Sequence, residues 1–304
     1  PHGRVSDVQR RQMTTVEAPN VHCIALDGTF DDCQDLVKAL FNDLSFRDRH
    51  RLSAVNSINW TRILGQIVYY FVAAAALGCW SRQIAFAVPT GNFGNIYAGY
   101  VARRMGLPIS HLVLATNAND ILSRLLATGT MKRGEVHPSL SPSMDIQVAS
   151  NFERFLFDLM DREAPRVAQQ MAGFQQTGEL PLDERAIDTA REVFTGFRLD
   201  DAGTLEEIAR CYKATGELLD PHSAVGVAGG AAHRPEPKVP MVSLATAHPA
   251  KFPDAVTQAT GVAPELPAHL AGLMTRTERF DVLANDLETV QGFVRDRLAA
   301  RAPA

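Results

Sequence analysis

The sequence predicts an α/β fold with parallel strands, on three observations. Short apolar runs of strand length alternate with helical segments along most of its 304 residues. One such run, residues 84–88, ends in a glycine-bearing turn and leads straight into a helix, which is the basic strand–turn–helix step. Composition agrees: 46% of residues are hydrophobic and 21% charged, enough apolar material for one large or two modest cores.

Taken in order, residues 21–26 (VHCIAL) form a buried strand followed by Gly28. A helix opens at Asp31 or Asp32 and puts Cys33, Val37, Leu40, Phe41 and Leu44 on one face at helical spacing. Residues 60–76 form a longer, more apolar helix. The run 63–77 within it reads as buried, because it carries Gln66 and falls short of the roughly 20 residues a membrane span needs. Residues 84–88 (IAFAV) are a strand that stops at Pro89-Thr90-Gly91, and the next helix runs through Ala98, Val101 and Met105 to Gly106. A strand over 111–115 and a helix over 120–128 follow. The charged, Gln-rich stretch 161–200 reads as a peripheral helical insertion. Thr204 with Glu207 has capping-box spacing, so a helix is expected to open at Thr204. Residues 230–239 form a loop, and because Pro240 lacks a ladder donor a strand starts at Met241. The tail 286–301 is an amphipathic surface helix.

A net charge of −4 without a long basic run offers no electrostatic basis for binding nucleic acid. Cys23, Cys33, Cys79 and Cys211 form no CxxC pair, which points to a reduced cytoplasmic protein without a zinc site. A polar opening with Arg4, Asp7, Arg10 and Arg11 lacks the pattern of a secretory leader. The start at Pro1-His2-Gly3 reads as a beginning in mid-domain.

Four segments carry residue types suited to chemistry. In Pro89-Thr90-Gly91-Asn92-Phe93-Gly94-Asn95, glycines let backbone N–H groups approach an oxyanion and the following helix adds partial positive charge. A tight turn that merely needs glycine explains the same residues, and neither a Walker loop nor a dinucleotide fingerprint is present. Asn56-Ser57-Ile58-Asn59, ahead of the apolar helix, is a ligand loop or a plain N-cap. Asp220-Pro221-His222-Ser223 is a turn initiator whose histidine reads as structural. In Ser243–Phe252, Thr246 and His248 follow a strand, where ligands sit in parallel α/β sheets, although a buried strand-end hydroxyl would look alike.

Together these segments resemble threonine synthases. The resemblance rests on SDVQRRQMTT, DGTFDDCQ, AVNSINWTRILGQIVYYF, VPTGNFGNIYAGYVARRMGLP, ATNANDILSRLLATG, SPSMDIQVASNFERFLF, DPHSAVG and LATAHPAKFPDA, collinear from Val5 to about residue 260. It implies the PLP fold-type II architecture, tryptophan synthase β-like with three-layer open sheets, here N-terminally truncated. It also implies pyridoxal 5′-phosphate (PLP) as cofactor, and conversion of O-phospho-L-homoserine and water to L-threonine and phosphate. By the same resemblance Gly91, Asn92, Phe93, Gly94 and Asn95 cradle the cofactor phosphate and Thr246 faces the pyridine nitrogen. Asn56, Ser57 and Asn59 fall near the substrate. No nucleic acid or membrane partner is expected.

In one respect the chain departs from the family pattern. The Schiff-base lysine lies in a Phe-Lys-Asp type motif and the substrate loop reads Ser-Gly-Asp-Thr-Gly, and both are missing. None of Lys38, Lys132, Lys213, Lys238 and Lys251 has the motif, so no catalytic residue is assigned and the chain alone is expected to be inactive. The expected organisation is a remainder of the small PLP-associated subdomain over 1–60, the large PLP-binding domain over 61–270, and a helical tail over 271–304. A related PLP phospho-lyase and a non-catalytic remnant or binding subunit stand as alternatives.

Overall fold

The apolar runs become strands of parallel sheets in the computed structural model, which describes residues 1–57, 59–234 and 236–300. Contacts divide the chain into one unit of Pro1–Ala54 with the residues from Glu265 on, and a second of Val55–Pro264. The first stretch carries α1 (Asp7–Thr14), β1 (Ile24–Asp27), α2 (Phe30–Asn42) and α3 (Leu44–His50). Then come α4 (Trp60–Ala76), β2 (Ile84–Pro89), α5 (Gly94–Arg104), β3 (Ile109–Thr116), α6 (Ile121–Thr128) and β4 (Thr130–Lys132). The second unit continues with α7 (Phe152–Leu159), α8 (Ala164–Thr177), β5 (Glu179–Pro181), α9 (Glu184–Arg191) and β6 (Phe194–Arg198). It ends with α10 (Asp201–Thr215), α11 (Pro221–Ala232), β7 (Met241–Ser243) and α12 (Pro253–Thr260), and the chain closes with β8 (Asp281–Ala284) and α13 (Leu287–Ala299).

In the first unit β1 and β8 pair in parallel, Ile24 opposite Asp281 through Asp27 opposite Ala284. The last residues are therefore more than the tail expected of them: they supply a strand and a helix to the unit that opens the chain. Leu26, Leu36 and Val290 form its buried core, with Cys33, Leu40 and Leu283 against it. A capping box starts α2, in which Thr29 Oγ1 accepts from Asp32 N–H while the Asp32 carboxylate accepts from Thr29 N–H. Helix α2 buries Leu36, with Cys33 and Leu40 partly buried beside it as expected, so Leu36 takes the place expected of Val37. Val37 is exposed, and Leu44 lies exposed beyond a break at Asp43, where α3 begins. The strand expected from residue 21 starts only at Ile24, and Val21 is exposed.

The second unit is built on a four-stranded sheet in the order β6-β3-β2-β7, all parallel. Every residue of β2 is buried, and Ala87 at its centre lies opposite Val113 and Ser243. Alternate residues face opposite sides. Ile84, Phe86, Val88, Leu112 and Leu114 enter the main core with residues of α4 and α5, whereas Ala87 and Ala115 face α11. That second face requires glycine. A Cβ at Gly226 would lie 2.9 Å from Pro89 Cγ, and one at Gly230 would lie 2.9 Å from Ser243 Oγ.

Three further expectations are corrected here. The run 63–77 is buried on one face only: Ile63, Ile67, Tyr70 and Ala74 are in the core, while Leu64, Val68 and Val72, in steps of four, are about half exposed. Periodicity cannot assign a face when a helix is apolar all round. Residues 161–200 are no mere helical insertion, since β6 pairs with β3 and buries Phe194, and β5 pairs antiparallel with β4. Helix α10 opens at Asp200, whose carboxylate accepts from Gly203 N–H at 3.0 Å; Thr204 lies inside it and donates to the Asp200 carbonyl at 2.8 Å. Among the described residues no helix is long and apolar enough to cross a membrane.

Candidate functional site

Parallel pairing brings the carboxyl ends of β2, β3 and β7 to the same end of the sheet, where Thr90, Asn117 and Leu244 leave the strands. Thr90 N–H still bonds to Ala115 O at 2.7 Å, so the turn that follows starts from a fixed base. Phe93 then takes a left-handed backbone conformation (φ 64°), unusual for a residue with a Cβ and costly by about 1–3 kcal/mol. Its ring offsets that cost by packing edge-on against Phe152 and Phe194, both at 5.5 Å. The reversal aims the first turn of α5 at the end of the sheet, and no side chain caps it.

Two buried polar side chains and one tight backbone contact brace this loop. Asn151 is fully buried; its backbone N–H and its Nδ2 both donate to Asn92 O, and Nδ2 also donates to Ser57 O at 2.9 Å. Tyr70, reaching across from α4, donates to Asn95 O at 2.8 Å, and burial pushes its phenol well above the ordinary range, so the proton stays on. Gly91 is pressed against the segment 141–145, where a Cβ would lie 2.5 Å from Ser143 O. That segment is pinned in turn, because Asp145 accepts from Asn117, Asn119 and Ser139.

The Asp220 motif sits beneath the other side of the site. Asp220 caps α11, accepting from His222 N–H and Ser223 N–H, and it also accepts from His222 Nδ1 at 2.9 Å and from the Ser223 hydroxyl. Burial alone would raise its carboxyl, but the hydrogen bonds from His222 and Ser223 hold it below the ordinary aspartate range. His222 is thus a satisfied buried residue: Ser143 N–H donates to its Nε2 at 3.2 Å. Ser223 Oγ accepts from Thr246 N–H at 3.1 Å.

The structure brings Gly91–Asn95 and Thr246 to adjacent strand ends, and Ser57 to the loop through Asn151. Thr246 is exposed, the environment of a group free to meet a ligand. Asn59 spends its side chain capping α4, accepting from Thr61 N–H at 2.8 Å, and its backbone N–H donates to Asn56 O. Ile58 lies outside the described residues. His248 caps the turn that follows it, accepting from Ala250 N–H at 3.2 Å. Asn151, Tyr70 and Ser143 lie in segments that carry the resemblance but are given no role by the sequence, since each is far along the chain from the loop it supports.

A match to the family model described as "Threonine synthase, C-terminal" covers residues 223–294. Threonine synthase of Pseudomonas aeruginosa is 55% identical over 97% of this chain and 63% of its own length. The chain belongs to the threonine synthase family. Among solved structures, a PLP-bound threonine synthase from Brucella melitensis is 52% identical and superimposes with a TM-score of 0.94 over 99% of this chain and 64% of that one. The yeast threonine synthase structure is 40% identical, with a TM-score of 0.89 over 99% of this chain and 64% of that one. The α/β fold is therefore that of PLP-dependent threonine synthases, and the chain spans somewhat under two thirds of the length of these relatives.

Proposed function

We propose that this chain carries the PLP-binding face of a threonine synthase, which converts O-phospho-L-homoserine and water to L-threonine and phosphate. The observation that carries the reading is the loop Gly91–Asn95, with the uncapped N-terminus of α5 beside it and Thr246 at the end of the neighbouring strand. The backbone N–H groups of the loop and of the first turn of α5, which no side chain caps, are donors suited to a phosphomonoester. A Cβ at Gly94 would fill a space edged by Asn151 Nδ2 at 3.3 Å and by Gln66 Oε1 and Ser57 O, each at 3.7 Å, so that only glycine leaves it open.

In this reading Gly91, Asn92, Phe93, Gly94 and Asn95 hold the phosphate through backbone N–H groups and the helix dipole. Asn151 and Tyr70 keep the loop rigid, so little ordering is left to occur on binding. The Thr246 hydroxyl faces the ring nitrogen as a neutral partner, and Asn56, Ser57 and Asn59 border the substrate. When bound, the cofactor supplies an electron-withdrawing ring that stabilises negative charge on the substrate carbon beside the amine. Four free cysteines support a reducing, cytoplasmic setting. Fluorescence titration with pyridoxine 5′-phosphate, which has no aldehyde to react with surface lysines, tests the cofactor site. Saturable binding lost in Gly94→Val is the expected result; binding unaffected by that substitution would refute it.

A further inference from the structure

We propose that Asp220 is a positioning residue with two arms, holding Thr246 through Ser223 and the Gly91 turn through His222 and Ser143. The inference rests on the cofactor reading above. The three side chains are buried, with 1% of Asp220, 4% of His222 and 3% of Ser223 exposed.

Proton directions follow from the partners. Each Asp220 oxygen takes two bonds, Oδ1 from His222 N–H and Nδ1, and Oδ2 from Ser223 N–H and its hydroxyl. With its proton given to Asp220, Ser223 Oγ presents lone pairs, and one of them accepts Thr246 N–H. Because Nδ1 carries the imidazole proton, Nε2 is the acceptor for Ser143 N–H. Ser143 O in turn bears on Gly91. Phe252 packs on the imidazole at 4.8 Å and keeps its plane in place. Capping α11 needs only the backbone donors of His222 and Ser223. The reach of both side chains to two different loops goes beyond what capping needs.

The arms end at the two places where the cofactor is to be gripped, its phosphate and its ring nitrogen. Covalent geometry keeps those two groups at a nearly constant separation, so the loops must keep theirs. A single buried carboxylate tying both loops to one helix end sets that spacing before anything binds.

The experiment compares two probes, pyridoxine 5′-phosphate and inorganic phosphate, on the wild type and on Ser223→Ala, His222→Leu and Asp220→Asn. Ser223→Ala is expected to weaken pyridoxine phosphate about tenfold and to shift its emission, which reports ring protonation, while changing inorganic phosphate by less than about twofold. His222→Leu is expected to weaken both probes. Added to Thr246→Val, Ser223→Ala should have less than about a twofold further effect, because its influence passes through Thr246. Equal loss of both probes in Ser223→Ala, or full additivity with Thr246→Val, overturns the positioning role. Should Ser223→Ala fail to fold, Asp220→Asn keeps a capping side chain but cannot accept on both arms. Unchanged binding of both probes to it overturns the proposal equally. If the wild type binds neither probe, the cofactor reading falls and takes this one with it; if it binds both and the variants match it, only the positioning role falls.

Discussion

Asn151 donates twice to the carbonyl oxygen of Asn92, through its backbone N–H at 3.1 Å and its Nδ2 at 3.0 Å. Nδ2 also reaches Ser57 O, and the side-chain oxygen accepts from Arg154 Nε at 3.0 Å. One fully buried carboxamide thus ties the glycine loop to the Asn56–Asn59 segment. Asn151→Ala should cost about 1–3 kcal/mol by removing the side-chain donor to Ser57 O and leaving Asn92 O with the backbone donor alone, read as a lowered thermal midpoint. Asn151→Asp, nearly the same shape, should cost at least as much, since it turns an acceptor toward two carbonyl oxygens. An aspartate variant as stable as the wild type would contradict this.

Gly99 and Tyr70 are in contact through the interface of α4 and α5: a Cβ at Gly99 would lie 2.6 Å from the Tyr70 ring. Gly99→Ala should therefore lower stability by about 1–3 kcal/mol. Combined with Tyr70→Leu the loss should be less than the sum of the two, as denaturant titrations would reveal. Strict additivity would mean the contact is not what limits this position.

At the first unit, Arg10 and Thr14 of α1 both donate to Glu278, at 2.8 Å each. The bond from Arg10, then that from Thr14, draws the Glu278 carboxyl down to about 2. An ordinary glutamate titrates near 4.3, so this link is fully present above about that pH and is lost as pH falls toward 2. Amide exchange in α1 should accelerate over that window in the wild type and be already fast in Glu278→Gln. Identical acid profiles for the two proteins would count against the link.

By the sequence resemblance none of the five lysines of this chain is expected to form the Schiff base; Lys38 and Lys132 are engaged with Asp35 at 2.8 Å and Glu179 at 2.6 Å. Incubation with PLP and borohydride should therefore leave no stoichiometric pyridoxyl group on Lys38, Lys132, Lys213, Lys238 or Lys251. Incubation with O-phospho-L-homoserine and PLP should give no threonine above blank. Mass mapping of peptides decides the first point, and a full label on Lys251 would reverse it.

Leu64, Val68 and Val72 present a half-exposed apolar stripe on α4. Changing Val68 and Val72 to Glu should reduce self-association in light scattering without lowering the thermal midpoint, because neither residue is in the core. A large drop in that midpoint would mean the stripe is packed in solution.

Much of this molecule could be read locally. The strand–turn–helix around residues 84–105 was legible because apolar run, glycine turn and helix follow one another without interruption. The cap at Asn59 was legible in kind, since a short polar side chain satisfies an N–H group only two residues away. Strand β6 was not, because five residues with a glycine at their centre look like part of the charged helices around them. Strand β8 was hidden likewise, its hydrogen-bond partner lying more than 250 positions earlier in the chain.

The candidate site divides along the same line. Chain neighbours determine that a glycine turn opens α5, and the motifs determine the family. Only the folded chain decides that Asn151 grips Asn92, that Tyr70 reaches Asn95, and that Asp220 serves both Thr246 and Ser143. Those pairs are joined by buried hydrogen bonds between distant segments. Hydrophobic periodicity records only which side of an element is apolar, so it carries no trace of which buried polar group will satisfy which.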